Sequence, residues 1–254
     1  MTALRKGVTG PTFVSEIDIF QTDTVQLHSL GQLVYGASGE KYRYALVGGS
    51  ALIIGNLLQG PQNDTTTWDN LVVTTAQNVG DTQVIVTLNG TAALVNEFAE
   101  GTVTLSVTSG LIVGTYTIAS HAAQTSTTGN LTLNLAEPLR TTVAGTAVSV
   151  TTAVTATMRR NQYRKVVQSV VTNPTAIPVG VALTIAAAST YTWIQTAGVC
   201  GVLSDNTTMV VGDDVAQSAT AGAVTLANGA LGRVGRSLSA KYSAGLVPVK
   251  LELD

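Results

Sequence analysis

The chain has 254 residues, 45% of them hydrophobic but only 5% aromatic, and a formal net charge of −2 at pH 7. Charged residues make up 11% of the chain. Because the sequence offers no basic surface to neutralise phosphates, we do not expect the protein to bind nucleic acid. A single cysteine, Cys200, excludes an intrachain disulfide. No apolar run approaches the length of a membrane-spanning helix and no signal peptide is recognisable, so we expect no membrane association and a cytoplasmic origin.

An arm and a hairpin are predicted at the N-terminal end. Residues 1–15 are polar and lack hydrophobic periodicity, which predicts an extended arm. Two apolar runs, Leu33–Tyr35 and Tyr42–Val47, flank a turn at Gly36–Gly39, and this pattern predicts a β-hairpin. The following segment, Ser50–Pro61, is compatible either with a broken strand pair or with a short helix.

Short strands are predicted between residues 65 and 158, where apolar and polar residues alternate between turns rich in Gly, Asn and Asp. The alternating stretches are Thr82–Leu88, Thr102–Val107, Gly114–Ser120, Asn130–Leu135 and Thr146–Thr152. Five or six short strands with this spacing are typical of a small sandwich or barrel. The stretch contains no lysine and one arginine, Arg140.

Strands are predicted again in the C-terminal part. They cover Lys165–Val171, Tyr191–Thr196, Gly198–Ser204, Met209–Gly212, Gly222–Ala227 and Val247–Leu253. We therefore predict an all-β chain in three parts: the arm (1–15), a β-sandwich or barrel body built from residues 16–64 and 159–254, and an inserted β domain (65–158) that is itself a small barrel or sandwich.

Residues with catalytic or metal-binding potential are few and scattered. His28 and His121 have no ligand spacing, which favours structural or loop roles. Cys200 lies in an apolar run and is interpreted as a small core residue. Asp205 and Asp213–Asp214 lack the spacing of a calcium loop and are interpreted as turn residues. We predict no catalytic, cofactor-binding or metal-binding residues, and hence no enzyme.

One basic cluster consists of Arg159, Arg160, Arg164 and Lys165. It is compatible with an electrostatic contact to an acidic partner or with a solvated turn that joins the inserted domain to the body. The solvated turn is the favoured interpretation. A nuclear-localisation or DNA-binding role is less favoured than either, because no other part of the chain extends the basic patch.

Ten stretches, taken in order, carry a resemblance to a known family. They are Ile17–Pro61, Phe98–Ser106, Gly114–His121, Leu131–Arg140, Asn161–Val167, Pro178–Thr184, Tyr191–Asp205, Val211–Val224, Val234–Leu238 and Val247–Asp254, and they extend over most of the chain from about residue 13. In this order they resemble the capsid decoration, or head cement, proteins of tailed bacteriophages. One departure is Asn161-Gln162-Tyr163, where the family pattern has Asn-Pro-Tyr.

The resemblance implies a structural virion protein without catalytic residues. It would bind the outer surface of the capsid shell. Its partners would be the major capsid protein and copies of itself, with which it would form a homotrimer. It would be assembled in the cytoplasm of the bacterial host, with the arm as a strap between subunits. Two alternatives remain open: a tail or collar protein of the same particle, and a carbohydrate-binding β-sandwich presenting Tyr35, Tyr116, Tyr163 and Tyr242.

Overall fold

The computed structural model describes residues 18–62, 66–107, 112–140, 154–170, 176–205, 209–227, 232–240 and 245–254. The predicted arm and the predicted strand Thr146–Thr152 lie outside these ranges. A 3-10 turn, Asp18–Phe20, is the one helical element of the described residues, and all other regular elements are strands. The all-β prediction is therefore confirmed. No helix within these ranges is long and apolar enough to span a membrane.

Seventeen strands are described. In chain order they are β1 Thr22–Asp23, β2 Leu33–Tyr35, β3 Lys41–Leu46, β4 Leu57–Gln59, β5 Leu71–Val72, β6 Gln83–Thr87, β7 Thr102–Val107, β8 Ile112–Ser120, β9 Asn130–Leu135, β10 Val154–Arg159, β11 Val167–Gln168, β12 Pro178–Ala182, β13 Tyr191–Ser204, β14 Asp214–Gln217, β15 Val224–Leu226, β16 Arg233–Ser237 and β17 Gly245–Glu252.

The chain forms two compact units. Unit 1 combines Met1–Gln62 with Gln162–Asp254, and unit 2 is Asn63–Asn161. The sequence predicts the two boundaries between the body and the inserted domain at 64/65 and 158/159. The residues of unit 1 near which the chain leaves for unit 2 and returns from it lie close together. A Cβ built on Gly60 would lie 2.7 Å from the carbonyl oxygen of Gln162.

Strand β13 organises unit 1. It pairs with β1, β3, β12, β15 and β17, and the ring β13–β15–β14–β16–β17 returns to β13 and closes a barrel. Successive side chains of β17 point alternately outward and inward, as the strand period of two requires. Val247, Val249 and Leu251 therefore lie in the core of this barrel. The predicted hairpin is confirmed as β2 and β3. The helical alternative for Ser50–Pro61 is wrong, because β4 lies there.

A bulge explains why β13 is one strand where the sequence predicts two. The register with β3 shifts between Gln195 and Ala197, and Gly198 follows with a φ of +89°. Glycine adopts this left-handed conformation without a steric penalty, so the strand bends and continues. A Cβ on Gly198 would also lie 3.0 Å from the Cα of Glu40, and this close approach requires the missing side chain.

Unit 2 is a second barrel. Its sheet has the order β5–β10–β7–β8–β9–β6, and a bridge between Val73 and Val86 joins the two ends. Inward-facing apolar residues fill it, with Tyr116 and Phe98 among the largest fully buried side chains. On the outer wall, the Thr104 and Thr115 hydroxyls form a cross-strand hydrogen bond of 3.0 Å. The sequence alternation is therefore reproduced as an apolar interior and a hydroxyl-rich exterior.

Candidate interaction surface

The two histidines have structural roles. His121 is buried, its Nε2 accepts the backbone N–H of Phe98 at 3.0 Å, and its Nδ1 lies 2.8 Å from the carbonyl oxygen of Ala122. The neutral imidazole therefore uses both of its nitrogens to fix the chain in unit 2. His28 packs in unit 1 against the rings of Tyr44 and Trp193, with centroid distances of 5.0 and 5.2 Å.

Cys200 belongs to the unit 1 barrel core, as the sequence predicts. Burial raises the pKa of its thiol to about 12. The thiolate is the reactive form of cysteine, so this environment suppresses nucleophilic chemistry at the side chain.

The three aspartates act within turns and ion pairs. Asp213 accepts the backbone N–H of Val210 at 2.8 Å, which confirms its interpretation as a turn residue. Asp205 accepts the hydroxyl of Ser218. Asp214 begins β14 and contacts arginines of the neighbouring strand β16. Over the described part of the chain, no group of three histidine, cysteine, aspartate or glutamate residues is placed to hold a metal ion.

The basic cluster does not form a solvated turn throughout, and that interpretation is wrong for Arg160. Its guanidinium pairs with Glu97 and lies over the rings of Trp68 and Phe98, at 5.8 and 5.4 Å from their centroids. Arg159 pairs with Asp69. Both arginines thus pair with residues of unit 2 that are remote in sequence. These ion pairs could not be predicted from the local density of charged residues.

The tyrosines considered for sugar stacking are largely unavailable. Tyr116 and Tyr163 are only 2% and 6% exposed. Tyr35 is partly buried, and Tyr242 lies outside the described residues. Sugar recognition by stacking requires an open ring face, which buried tyrosines do not offer.

The outer face of the β13–β17 pair carries both of the large hydrophobic side chains that are exposed on the described strands of unit 1, Val199 and Leu246. The register places Val199 opposite Lys250, Gly201 opposite Pro248 and Leu203 opposite Leu246. We call these six residues the ribbon face. Val199 and Leu246 are each 56% exposed. Since residues on one sheet face lie two apart along each strand, the apolar members form one continuous surface.

Two glycines shape the ribbon face. The side chain of Leu246 lies over Gly55 and Gly201, and a Cβ on Gly201 would be 3.7 Å from Leu246 Cδ1. Leu238 joins the border, because its backbone N–H donates to the carbonyl oxygen of Pro248 at 2.9 Å. The face is therefore flat beside the glycines and bordered by a further exposed leucine.

A charged border adjoins the apolar part. Asp214 Oδ1 lies 3.0 Å from Arg233 Nε and 3.2 Å from Arg236 Nε, and Arg233 also pairs with Glu252. Arg236 stands directly opposite Lys250 on the neighbouring strand. Two arginines thus share two carboxylates while Lys250 adds a third positive charge beside them, and like charges placed opposite each other are unfavourable. A partner carboxylate beside Lys250 would relieve this imbalance.

Comparison of the chain with models of known protein families, with curated proteins and with solved structures found no match.

Proposed function

We propose that the protein is a structural component of a tailed-phage particle that binds the outer surface of the capsid shell and cements neighbouring shell subunits. The ribbon face is the observation that carries this proposal. An apolar centre bordered by arginines is the composition that protein–protein interfaces favour. The resemblance of ten ordered stretches to capsid decoration proteins supports the identity of the particle.

Bridging requires more than one contact per molecule. Unit 1 offers the ribbon face, and unit 2 exposes aliphatic side chains of its own. When one molecule makes several weak contacts on a lattice, each contact raises the effective concentration for the next. A chain with contact surfaces on two separate β units is suited to join neighbouring subunits in this way.

Direct imaging tests the location. In a reconstruction of purified particles, we expect density for the chain as a regular array on the outside of the head. Density confined to the tail or collar would contradict the proposal and favour the tail alternative.

Binding of purified protein to heads that lack it tests the ribbon face. Val199→Asp places a carboxylate on the apolar part, opposite Lys250, and we expect at least about a tenfold loss of affinity because this carboxylate must be desolvated in the contact and competes with the partner for Lys250. Val72→Asp is the matched control: Val72 is also a strand valine and is 55% exposed against 56% for Val199. Equal binding by both variants would remove the ribbon face from the contact.

A further inference from the structure

Two loops of unit 2 form a surface without ionisable side chains. They are residues 89–96, after β6, and residues 122–129, before β9, and together we call them the neutral tip. Their sequences, Asn-Gly-Thr-Ala-Ala-Leu-Val-Asn and Ala-Ala-Gln-Thr-Ser-Thr-Thr-Gly, contain no acidic, basic or histidine residue. Leu94 and Val95 are the two large apolar side chains of the neutral tip, and each is 62% exposed.

Backbone hydrogen bonds hold the two loops side by side. Ala93 and Gln124 exchange hydrogen bonds of 2.9 and 2.8 Å, and the N–H of Gly90 donates to the carbonyl oxygen of Thr127 at 2.8 Å. Asn96, with a φ of +53°, donates its N–H to the carbonyl oxygen of His121 at 3.1 Å. The loops therefore present their exposed side chains in one conformation.

A buried ion pair fixes the apolar corner of the neutral tip. Glu97 is 7% exposed, and its Oε2 accepts the N–H of Leu94 at 3.0 Å while its Oε1 receives Arg160. Burying a charged pair is unfavourable unless its geometry is well satisfied. Here the pair holds in place a loop whose outermost side chains are two exposed aliphatic residues, and such preorganisation lowers the entropic cost of binding.

We infer that the neutral tip is a contact between copies of this chain, with Leu94 and Val95 at its centre. In a closed symmetric assembly each residue near the rotation axis meets its own copies, so any charge there would meet a like charge. A surface free of ionisable groups avoids this repulsion. The ribbon face lacks this property, because Lys250 and its neighbour Arg236 would face the same cations of another copy.

The same composition argues against other occupants. Nucleic acids and anionic lipid surfaces are held by lysine and arginine, which the neutral tip does not contain. A second copy supplies a matching uncharged apolar surface without any further requirement. This inference does not depend on the proposed role on a capsid, because it concerns the isolated protein.

Sedimentation velocity of the purified full chain over a range of concentrations tests the inference. The wild-type protein is expected to form an oligomer of defined mass. Val95→Asp is expected to weaken self-association at least about tenfold, because the new carboxylates converge at the axis. Val79→Asp, a loop substitution in the same unit at a valine that is 42% exposed, is the control and is expected to keep the wild-type mass.

Variants of opposite charge at position 95 test whether the partner is a second copy of the chain. Val95→Asp and Val95→Lys are each expected to sediment as single chains of 26.1 kDa, whereas their mixture is expected to regain the oligomer. Circular dichroism confirms that each variant is folded. A wild-type protein that stays monomeric, or a Val95→Asp variant with the wild-type mass, overturns the inference, and so does a mixture that stays monomeric. A monomeric chain that still decorates heads would leave the proposed function intact.

Discussion

Glu97 and Arg160 form a two-point ion pair across 63 residues of sequence. Glu97 Oε1 accepts Arg160 Nε at 3.1 Å and Nη2 at 2.5 Å, and both side chains are largely shielded from water. Because the second carboxylate oxygen also binds the backbone of Leu94, the pair connects the end of β10 to the neutral tip. Loss of one partner removes the opposite charge from a group that is largely buried.

We expect Glu97→Ala to lower the free energy of unfolding of unit 2 by about 3–5 kcal/mol, the usual cost of removing one member of a buried pair. Urea denaturation monitored by the fluorescence of Trp68, which lies beneath Arg160, measures the change. Glu137→Ala is the control, since Glu137 pairs with Arg140 at the surface and should cost less than about 1 kcal/mol. Similar losses in both variants would contradict this prediction.

The carboxylate of Asp254 gives the stability of unit 1 a dependence on pH. Burial alone would raise its pKa, but hydrogen bonds from Arg43 and Thr196 and the charge of Arg43 outweigh burial, and the pKa lies below its ordinary value. A carboxyl group with a depressed folded-state pKa stabilises the fold above its unfolded pKa, about 3.9, and this contribution is lost as the pH falls through the folded pKa.

Asp254→Asn is therefore expected to cost up to about 1 kcal/mol at neutral pH, as a partly exposed ion pair does. As the pH falls through the depressed folded-state pKa, the difference from wild type should disappear, because the wild-type carboxyl group then also becomes neutral. Thermal unfolding as a function of pH measures both values. A difference that persists unchanged into acid would show that the carboxylate charge is not the cause.

Gly198 permits the bend of β13, and Gly198→Ala should destabilise unit 1 by about 1–2 kcal/mol because alanine is strained at positive φ. The approach to Glu40 adds to the cost. Gly49→Ala is the matched control, since a Cβ there meets no atom of the described residues within 4 Å and its φ is not positive. Chemical denaturation of both variants measures the difference, and equal stabilities would contradict the role of the bulge.

The buried thiol of Cys200 should report on unit 1. With a pKa raised to about 12 and a position in the core, it is expected to react with a disulfide reagent at about pH 8 far more slowly than the same thiol in denaturant. Absorbance of the released thiolate measures the rate. Rapid modification of the folded protein would show that the barrel opens readily at this strand.

Removal of residues 1–14 tests the predicted strap. These residues precede the described chain, and the first described core residue is Ile19. We expect the shortened protein to keep its circular dichroism spectrum and melting temperature but to occupy heads poorly. Unchanged occupancy in a pelleting assay would exclude the strap.

Strands that alternate regularly between clear turns could be predicted from sequence. Thr102–Val107 and Asn130–Leu135 are confirmed with the predicted bounds as β7 and β9, because period and turn residues are local signals. Met209–Gly212, predicted as a strand, is not one: its described residues form a loop and turn. Strands β14 and β16 were not predicted, since they are short and rich in polar residues or glycine.

The candidate surfaces were less accessible to sequence reasoning. Val199 and Lys250 become neighbours only through the register of β13 and β17, which depends on long-range pairing. The same holds for Glu97 and Arg160. The sequence shows that the inserted stretch contains no lysine and one arginine, Arg140, but this composition does not locate a contact.

The neighbouring positions of Gly60 and Gln162 have a consequence for how the chain can change. Since unit 1 releases and receives the chain at one place, a short turn between these points would close unit 1 without stretching it. The barrel of unit 2 can therefore be added, exchanged or deleted during evolution as one continuous segment, while unit 1 keeps its own strand order. This modularity separates the part of the chain that can vary from the framework that receives it.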